Sequence, residues 1–357
     1  MKFLKNKNIL VISPEPWGHI PVSKHHYAQA LARAGNKVFF LSPPSTEDVV
    51  LQTNVPNLFA IEYKTFRGIN RLPSFMRNIL NRQLSNHINS KAGGRFNVVW
   101  SFDPFRFQNL AIFNADINIY HAVDVHRAPL EEELARGADL LLSVSDMIMA
   151  RFNHIDKPKK KVNHGVAPYF FDQPVLRHGN KPITVGYVGN LDNWCIDIPT
   201  LIKIVKSHPD INFKFIGPYS PNSYLAKVLS DMPHCKLVGR VPSNQLPAHF
   251  VDCSLFLMCY RGDEKDINSN HHKILEFLTT GCPVVMNYTD EYKDKRNLVF
   301  MSDSNEELPG LFSSVLNDLA RHLQENIVQV RRNFALANGY DHHVVEIDNF
   351  IQQLKEK

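Results

Sequence analysis

Short apolar runs alternate with helical patterns along most of the chain. In the first half, the runs that predict strands are 8–13, 37–42, 57–62, 97–101, 117–121 and 139–145. Between the first two, Ser23 is a candidate cap for a helix over 24–34, and Gly35 can end that helix. Strands that alternate with helices are typical of parallel sheets covered by helices. The pattern therefore predicts an α/β protein.

A second series of strand signals follows a segment that is poor in apolar residues. Residues 172–182 contain two prolines and one glycine, and predict a linker. The later strand signals are 183–189, 211–217, 235–239, 253–258, 283–286 and 298–301, and the pattern from Tyr340 onward is helical. The sequence thus predicts a first domain over 1–175 and a second over 180–337, followed by a helix over 340–357.

The segment 271–280 combines a helical pattern with groups that can bind a nucleotide. Lys273 and Glu276 are three residues apart and His272 and Glu276 are four apart, so all three share one helix face. A lysine at the amino end of a helix can bind a diphosphate, and a carboxylate one turn later can accept hydrogen bonds from ribose hydroxyls. The alternative is a surface Glu–Lys pair on an ordinary amphipathic helix. The predicted boundaries are Ser269 and Asn270 as caps, Gly281 in the left-handed conformation, and Pro283 at the next strand.

Three glycine-containing motifs precede this helix. They are GYVGN at 186–190, FIGP at 215–218, and the segment 239–258, which begins GRVP. In this order and spacing they resemble the carboxyl half of the retaining nucleotide-sugar glycosyltransferases of the GT-B fold. Within that large group, glycosyltransferase group 1 or family 4, the chain resembles the branch that builds bacterial surface polysaccharides. In the first half the resemblance rests on 9–35, on YHAVD at 120–124, and on 138–152 followed by NHGV at 163–166.

The resemblance implies a fold and an activity. The fold is α/β, with two facing Rossmann-like domains whose parallel sheets flank a cleft, and with the final helix packed back on the first domain. The activity is transfer of a sugar, with retention, from a nucleoside-diphosphate sugar on the second domain to a glycan or a lipid-linked glycan on the first. In that chemistry the leaving diphosphate takes the acceptor proton. No protein nucleophile, metal or cofactor is then expected, and stabilising the departing charge becomes the main task of Lys273.

The resemblance also assigns the site residues. The base would lie near Gly217 and the backbone of Arg240 and Val241, the ribose on Glu276, and the diphosphate on Lys273. The full implied donor set is Gly18, Gly189, Asn190, Gly217, Arg240, Val241, Ser269, Asn270, His272, Lys273 and Glu276.

Two further residues are candidates for catalysis beside Lys273. His121 and Asp124 lie in YHAVD and match a region that carries a sugar-contacting histidine in many relatives. The alternative is that both are strand-end polar groups satisfied by local hydrogen bonds.

Two departures from the family pattern leave other functions open. Asn268 stands where the family commonly has an acidic residue, and the loop 190–197 lacks the usual arginine and lysine. The diphosphate would then depend on Lys273, helped by His272, Arg261 or Lys265. The alternatives are a catalytically degenerate scaffold protein in a polysaccharide assembly complex, or a sugar-nucleotide epimerase. A shift in melting temperature with a nucleoside diphosphate would favour an enzyme over a scaffold.

Composition agrees with an ordinary globular protein of two domains. The chain has 357 residues, of which 44% are hydrophobic and 21% charged, and it contains no apolar run long enough to cross a bilayer. The basic start is followed by only four apolar residues, which indicates a first strand rather than a signal peptide. The 5 cysteines show no CxxC spacing, and the 17 histidines form no HExxH or Cys/His cluster. We therefore expect a cytoplasmic protein with reduced thiols and no bound metal.

The segment 64–95 carries seven basic residues and no acidic one. Its lysines and arginines are Lys64, Arg67, Arg71, Arg77, Arg82, Lys91 and Arg95, and apolar residues are interleaved with them. Such a segment is either a solvated helix face or a peripheral contact with an anionic membrane, here the inner face of the cell membrane. No nucleic-acid module accompanies it, so a nucleic-acid partner is not predicted.

Overall fold

The computed structural model describes residues 1–66, 68–126, 128–172, 182–261 and 270–356. It divides into two compact units, the first formed by Met1–Gly165 with Tyr340–Lys357 and the second by Val166–Gly339. Most of the predicted linker, together with Lys265, Asn268 and Ser269, lies outside the described residues.

The described part of the first unit builds an eight-stranded sheet in the order β3-β4-β2-β1-β5-β6-β7-β8. Neighbouring strands are parallel except β3 and β4. Six strands correspond to the predicted apolar runs. The other two, β3 and β8, were not predicted, because the first is largely exposed and the second consists of three lysines. The strands are β1 (Asn8–Ile12), β2 (Lys37–Leu41), β3 (Val49–Gln52), β4 (Leu58–Glu62), β5 (Val98–Ser101), β6 (Ile117–Ala122), β7 (Leu140–Ser143) and β8 (Lys159–Lys161).

Helices α1 (Ser23–Arg33), α2 (Ser74–Lys91), α3 (Glu131–Gly137) and α4 (Asp146–Ala150) complete this stretch of the chain. The predicted cap of α1 was wrong, because Ser23 is the first helical residue and Val22 occupies the cap position. The Val22 N–H donates to Nδ1 of His25 at 3.3 Å, and Nε2 of the same ring lies 3.0 Å from the Pro16 carbonyl oxygen. Nε2 therefore carries the proton, and His25 holds both ends of the loop before α1. Gly35 follows the helix with φ of 91°, as predicted.

The described part of the second unit builds a six-stranded parallel sheet in the order β11-β10-β9-β12-β13-β14. All six correspond to predicted strand signals. The strands are β9 (Thr184–Val188), β10 (Asn212–Ile216), β11 (Cys235–Gly239), β12 (Leu255–Leu257), β13 (Val284–Asn287) and β14 (Phe300–Ser302). The helices are α5 (Ile198–Lys206), α6 (Tyr224–Ser230), α7 (Leu246–Phe250), α8 (His272–Leu278), α9 (Leu308–Asn317), α10 (Leu319–His322) and α11 (Glu325–Ala337).

Each sheet has a point where the strand order reverses direction. In the second unit β10 lies on one side of β9 and β12 on the other, and in the first unit β2 and β5 flank β1 in the same way. Ligands of open α/β sheets bind beyond the carboxyl ends of the strands at such switch points. The fold class is thus confirmed as α/β with two mainly parallel sheets.

The last helix, α12 (Tyr340–Lys355), packs against α1 and belongs to the first unit. Its buried face includes Val344, Ile347 and Ile351. The second unit begins at Val166, ahead of the predicted linker. Val166 pairs with Gly339 in an isolated parallel bridge, and its N–H donates to the Asn338 carbonyl oxygen at 2.8 Å, which ties it to the end of α11. Among the described residues, no helix is both long and apolar enough to cross a membrane.

Candidate functional site

Three glycines lie at the carboxyl edge of the second sheet, where no side chain of theirs covers the backbone. Gly189 follows β9, Gly217 follows β10, and Gly239 ends β11. The Gly189 N–H donates to the Ile216 carbonyl oxygen at 2.9 Å, and the Gly217 N–H donates to that of Gly239 at 2.8 Å. Gly217 has φ of 147°, and a β-carbon on it would lie 1.9 Å from the Gly189 carbonyl oxygen, so no side chain fits there.

Two side chains converge on Gly189 from the other side of the switch point. Lys273, near the start of α8, places Nζ 3.3 Å from the position that a β-carbon on Gly189 would occupy. The hydroxyl of Tyr260, which follows β12, lies 3.9 Å from the same position. Beneath them, the buried Tyr187 hydroxyl has no hydrogen-bond partner among the described residues. The switch point thus brings the Lys273 ammonium and the phenols of Tyr260 and Tyr187 next to the backbone of Gly189.

Glu276 lies one turn after Lys273 on the same helix and is half-buried. Burial raises the pKa of its carboxyl group to about 7, and the Lys273 ammonium opposes part of that rise. Within the described residues, the carboxylate makes no hydrogen bond or ion pair. It is therefore free to accept hydrogen bonds from two hydroxyls of a ligand.

Helix α8 is held at its carboxyl end by two arginines from α11. Arg332 donates to the Thr279 carbonyl oxygen at 2.9 Å, and Arg331 donates to that of Gly281 at 3.1 Å. Gly281 has φ of 78°, as predicted for the residue that ends this helix. At the amino end the predicted cap at Asn270 was wrong, and Ser269 lies outside the described residues. His271 occupies the cap position, Asn270 precedes it and is buried, and the described side chains provide no cap hydrogen bond.

The loop 190–197, which lacks basic residues, is fixed by its own polar groups. Asn190 Oδ1 accepts the Asp192 N–H at 3.0 Å, and the Asp192 carboxylate accepts the Ser220 hydroxyl at 2.7 Å. Ile196 forms an antiparallel bridge with Tyr260, which joins the loop to the end of β12. Of the other implied donor residues, Arg240 and His272 are exposed and Val241 is half-buried.

A cavity of about 520 Å³ lies farther along the same edge of the second unit. It contains none of the implied donor residues that the structure describes, and of the described candidate helper cations Arg261 lines it and His272 does not. Its charged lining also includes three carboxylates, so it does not present the positive surface that a diphosphate requires. Its lining residues are Asp197, Pro199, Arg261, Asp303, Ser304, Asn305 and Glu306.

The loop after β1 in the first unit contains Gly18 and ends in a charge cluster. A β-carbon on Gly18 would meet no atom within 4 Å. The Lys24 ammonium lies 3.1 Å from a Glu15 carboxylate oxygen and 3.8 Å from one of Asp124. Lys24 is buried, whereas the Asp124 side chain is 61% exposed and accessible to a ligand. Sequence reasoning missed Lys24, although a single lysine beside the apolar face of α1 was a visible signal.

His121 lies within β6 and is completely buried. Its ring packs against Phe102 and Tyr27, with centroids 5.0 and 5.2 Å away. Burial lowers the pKa of His121 well below its usual value, so the ring is neutral. Neither ring nitrogen has a hydrogen-bond partner among the described residues. The side chain therefore lies in an aromatic cluster rather than at an open strand end. Tyr260, like Lys24, was not predicted as a site residue; its position directly after a buried strand was the available signal.

No group of three or more histidine, cysteine, aspartate or glutamate side chains is placed to hold a metal ion in the part of the chain that the structure describes. The five cysteines are free thiols.

Solved structures share this fold over nearly the whole chain. Sucrose-phosphate synthase from Thermosynechococcus elongatus superimposes with a TM-score of 0.67 at 14% identity, covering 98% of this chain and 99% of that one. HepE from Anabaena, in complex with UDP and glucose, gives 0.65 at 13% identity, covering 96% and 99%. WaaG, a glycosyltransferase involved in lipopolysaccharide biosynthesis, gives 0.62 at 15% identity, covering 95% and 99%. The chain therefore has the fold of the GT-B glycosyltransferases. No family model and no curated protein sequence matches it.

Proposed function

We propose that the chain is a glycosyltransferase that takes a sugar from a nucleoside-diphosphate sugar. The observation that carries the proposal is that Lys273 and Glu276 lie one turn apart on α8 at the switch point, with Lys273 beside the backbone of Gly189. A diphosphate can bind a cation and backbone N–H groups that approach it closely. A carboxylate about one helical turn from that cation can accept hydrogen bonds from the ribose. The solved complex of HepE with UDP and glucose supports the same ligand class.

In this proposal each part of the second unit recognises one part of the donor. Lys273 and Tyr260 bind the diphosphate, and the ionised Glu276 accepts hydrogen bonds from the ribose hydroxyls. The base lies against the backbone of Gly217, Arg240 and Val241, and Asn190, Ser269, Asn270 and His272 complete the donor set. Ser269 lies outside the described residues, so its part rests on the resemblance alone.

The proposed chemistry is transfer with retention and needs no protein nucleophile. The glycosidic bond to the diphosphate breaks, the acceptor oxygen bonds to the same face of the sugar, and the leaving phosphate takes the acceptor proton. Lys273 stabilises the negative charge that develops on the departing diphosphate. The first unit supplies the acceptor side through the Gly18 loop, with the exposed Asp124 as the residue closest to the reacting sugar. His121 is completely buried, so the predicted sugar contact of its ring is withdrawn. The acceptor is a glycan or lipid-linked glycan of a bacterial surface polysaccharide.

The first test of the proposal is the diphosphate contact of Lys273. Calorimetric titration with UDP and GDP should show that Lys273→Ala weakens nucleoside diphosphate binding by roughly 1.5–3 kcal/mol, because a charge-assisted contact is lost. Binding of the nucleoside alone should change little. Lys206→Ala, an exposed lysine in the last turn of α5, serves as the control and should bind like the wild type. Unchanged diphosphate affinity in Lys273→Ala would rule out this assignment.

Glu276 is tested by the sugar of the nucleotide. Glu276→Ala should weaken UDP more than its 2′-deoxy form, because only the ribonucleotide loses a hydroxyl contact. If both nucleotides weaken equally, the carboxylate does not bind the 2′-hydroxyl.

One observation favours a second candidate, a scaffold protein without transferase activity. The loop 190–197 offers a diphosphate no basic residue, and its Asp192 carboxylate faces Ser220. A scaffold of this kind should show no melting shift with UDP, GDP or dTDP, whereas a transferase should be stabilised by at least one of them.

A further inference from the structure

Large apolar side chains are exposed around the amino end of α2. Phe75 is 64% exposed and Ile79 is 56% exposed, and they lie one helical turn apart on the same face. Phe66, in the segment before the helix, is 62% exposed. The Asn70 amide donates to the Phe105 carbonyl oxygen at 2.6 Å, which brings a further exposed ring to this side. We call Phe66, Phe75, Met76, Ile79 and Phe105 the apolar patch. A cluster of this kind marks an interaction site more often than scattered single residues do.

Exposed cations accompany the apolar patch. Lys64, Arg71 and Arg82 are exposed and form no ion pair with any described residue. Arg82 follows Phe75 by seven residues and therefore lies on the same helix face. The segment 64–95 contains no acidic residue.

The other basic residues of this segment that the structure describes are engaged by carboxylates, Arg95 by Asp116. Arg67 lies outside the described residues. Arg77 is buried and donates to the Glu133 carboxylate at 2.9 Å, so it is not available to a partner. His87 and Lys91, in the second half of α2, both contact Asp48. These side chains are therefore engaged by carboxylates. The cations that form no ion pair with a described residue, Lys64, Arg71 and Arg82, accompany the apolar patch.

We propose that the apolar patch, with Lys64, Arg71 and Arg82, docks on an anionic lipid bilayer. Exposed rings and aliphatic side chains can enter the boundary between headgroups and acyl chains, while arginine and lysine contact the anionic headgroups. Charge complementarity selects this occupant, because three exposed cations that form no ion pair with any described residue match a uniformly negative surface. The docking is reversible and lies wholly within the first unit. It is independent of the proposed transferase activity, and its test requires no nucleotide.

The charge contribution is tested by co-sedimentation with two kinds of vesicle, phosphatidylcholine alone and equal parts phosphatidylcholine and phosphatidylglycerol. The wild type should bind the anionic vesicles at low salt and the neutral ones much less. The double variant Arg71→Gln, Arg82→Gln should lose about fivefold in partitioning for each cation removed. Arg321→Gln, an exposed arginine of the second unit, should behave like the wild type. Equal binding of the wild type to both vesicles would overturn the proposal.

The apolar contribution is tested with Phe75→Ser combined with Ile79→Ser. Binding to anionic vesicles should fall, and the remainder should be released by salt, because only the screened electrostatic part is left. Insertion is read directly from Phe75→Trp, whose fluorescence should shift to the blue with anionic vesicles. Tyr224→Trp, at a comparably exposed position of the second unit, should not shift. Unchanged binding of the double serine variant would overturn the proposal. So would a protein that ignores vesicles but forms a dimer that Phe75→Ser dissociates, since the patch would then bind a second copy.

Discussion

At the scale of single residues, the carboxyl group of Glu276 in the candidate donor site lowers the free energy of unfolding when it is ionised. Burial raises the pKa of Glu276 from 4.5 to about 7, and no described group compensates with a hydrogen bond. Between these two pH values the folded chain binds more protons at this carboxyl than the unfolded chain does. The free energy of unfolding therefore falls as pH rises through this interval, and the whole penalty is present above about pH 7.

The variant Glu276→Gln should remove this penalty. We expect its melting temperature to exceed that of the wild type near pH 8 and to match it near pH 5, where the wild-type carboxyl group is already protonated. Thermal melts of both proteins across this range, without ligand, provide the measurement. Glu47→Gln, which changes an exposed carboxyl group, should follow the wild type throughout. A constant difference between Glu276→Gln and the wild type at all pH values would contradict the raised pKa of this carboxyl group.

Gly18 offers a substitution that separates ligand contact from folding. A β-carbon there meets nothing within 4 Å, and the residue does not have a positive φ, so Gly18→Ala should not destabilise the protein. If the loop approaches the donor, the methyl group should reduce transfer or weaken nucleotide-sugar binding. Gly310→Ala, within α9, is the matched control. It should gain roughly 0.5–1 kcal/mol of stability and retain full activity. Wild-type activity in Gly18→Ala would show that the loop keeps clear of the donor.

At the scale of elements, the sequence was most informative where a strand is buried on both faces. β9 and β13 are mostly apolar and are bordered by Gly189 and Pro283, and such runs are visible without a structure. β8, with the sequence KKK, has no such signal, because its position at the sheet edge imposes no apolar side chain.

The candidate site could be predicted only in part for a similar reason. The shared face of Lys273 and Glu276 follows from helical spacing alone. In contrast, three features depend on contacts between distant segments. They are the approach of Lys273 to Gly189, the approach of Tyr260 to the same glycine, and the burial of Arg77 against Glu133. One sequence carries no local signal for such contacts.

Helix α8 gives a prediction at this scale, because Arg331 supports it from α11. The guanidinium is almost fully buried, donates to the carbonyl oxygens of Gly281 and His322, and has its pKa lowered to about 10 by burial. Arg331→Leu should lower the free energy of unfolding by roughly 2–4 kcal/mol, because a buried and a partly buried carbonyl group lose their donor. Urea unfolding followed by circular dichroism measures this loss. Arg321→Leu removes a mostly exposed arginine and should change stability by less than about 0.5 kcal/mol. Equal stability of the two variants would mean that α8 does not depend on this contact.

At the scale of the whole molecule, the chain returns to its first unit only through α12. The fully buried Asp348 carboxylate of this helix accepts three backbone N–H groups, from Lys2 at 2.7 Å, Phe3 at 2.7 Å and Leu4 at 2.6 Å. The two ends of the sequence are thereby joined, and the second unit is in effect inserted between parts of the first. The helical pattern after Tyr340 was visible in the sequence. The function of Asp348 was not, because its partners are more than 340 residues away.

Asp348→Ala should therefore destabilise the first unit alone. Three backbone donors lose a charged acceptor, and we expect a loss of roughly 3–5 kcal/mol in the free energy of unfolding. Asp341→Ala, on the same helix, removes only an exposed ion pair to Arg33 and should lose less than about 1 kcal/mol. Fluorescence can separate the units, because Trp17 and Trp100 lie in the first and Trp194 in the second. In a Trp194→Phe background, the urea midpoint of Asp348→Ala should fall well below that of Asp341→Ala, while any nucleotide affinity of the second unit is retained. Equal midpoints would mean that the amino-terminal residues do not depend on α12 for their position.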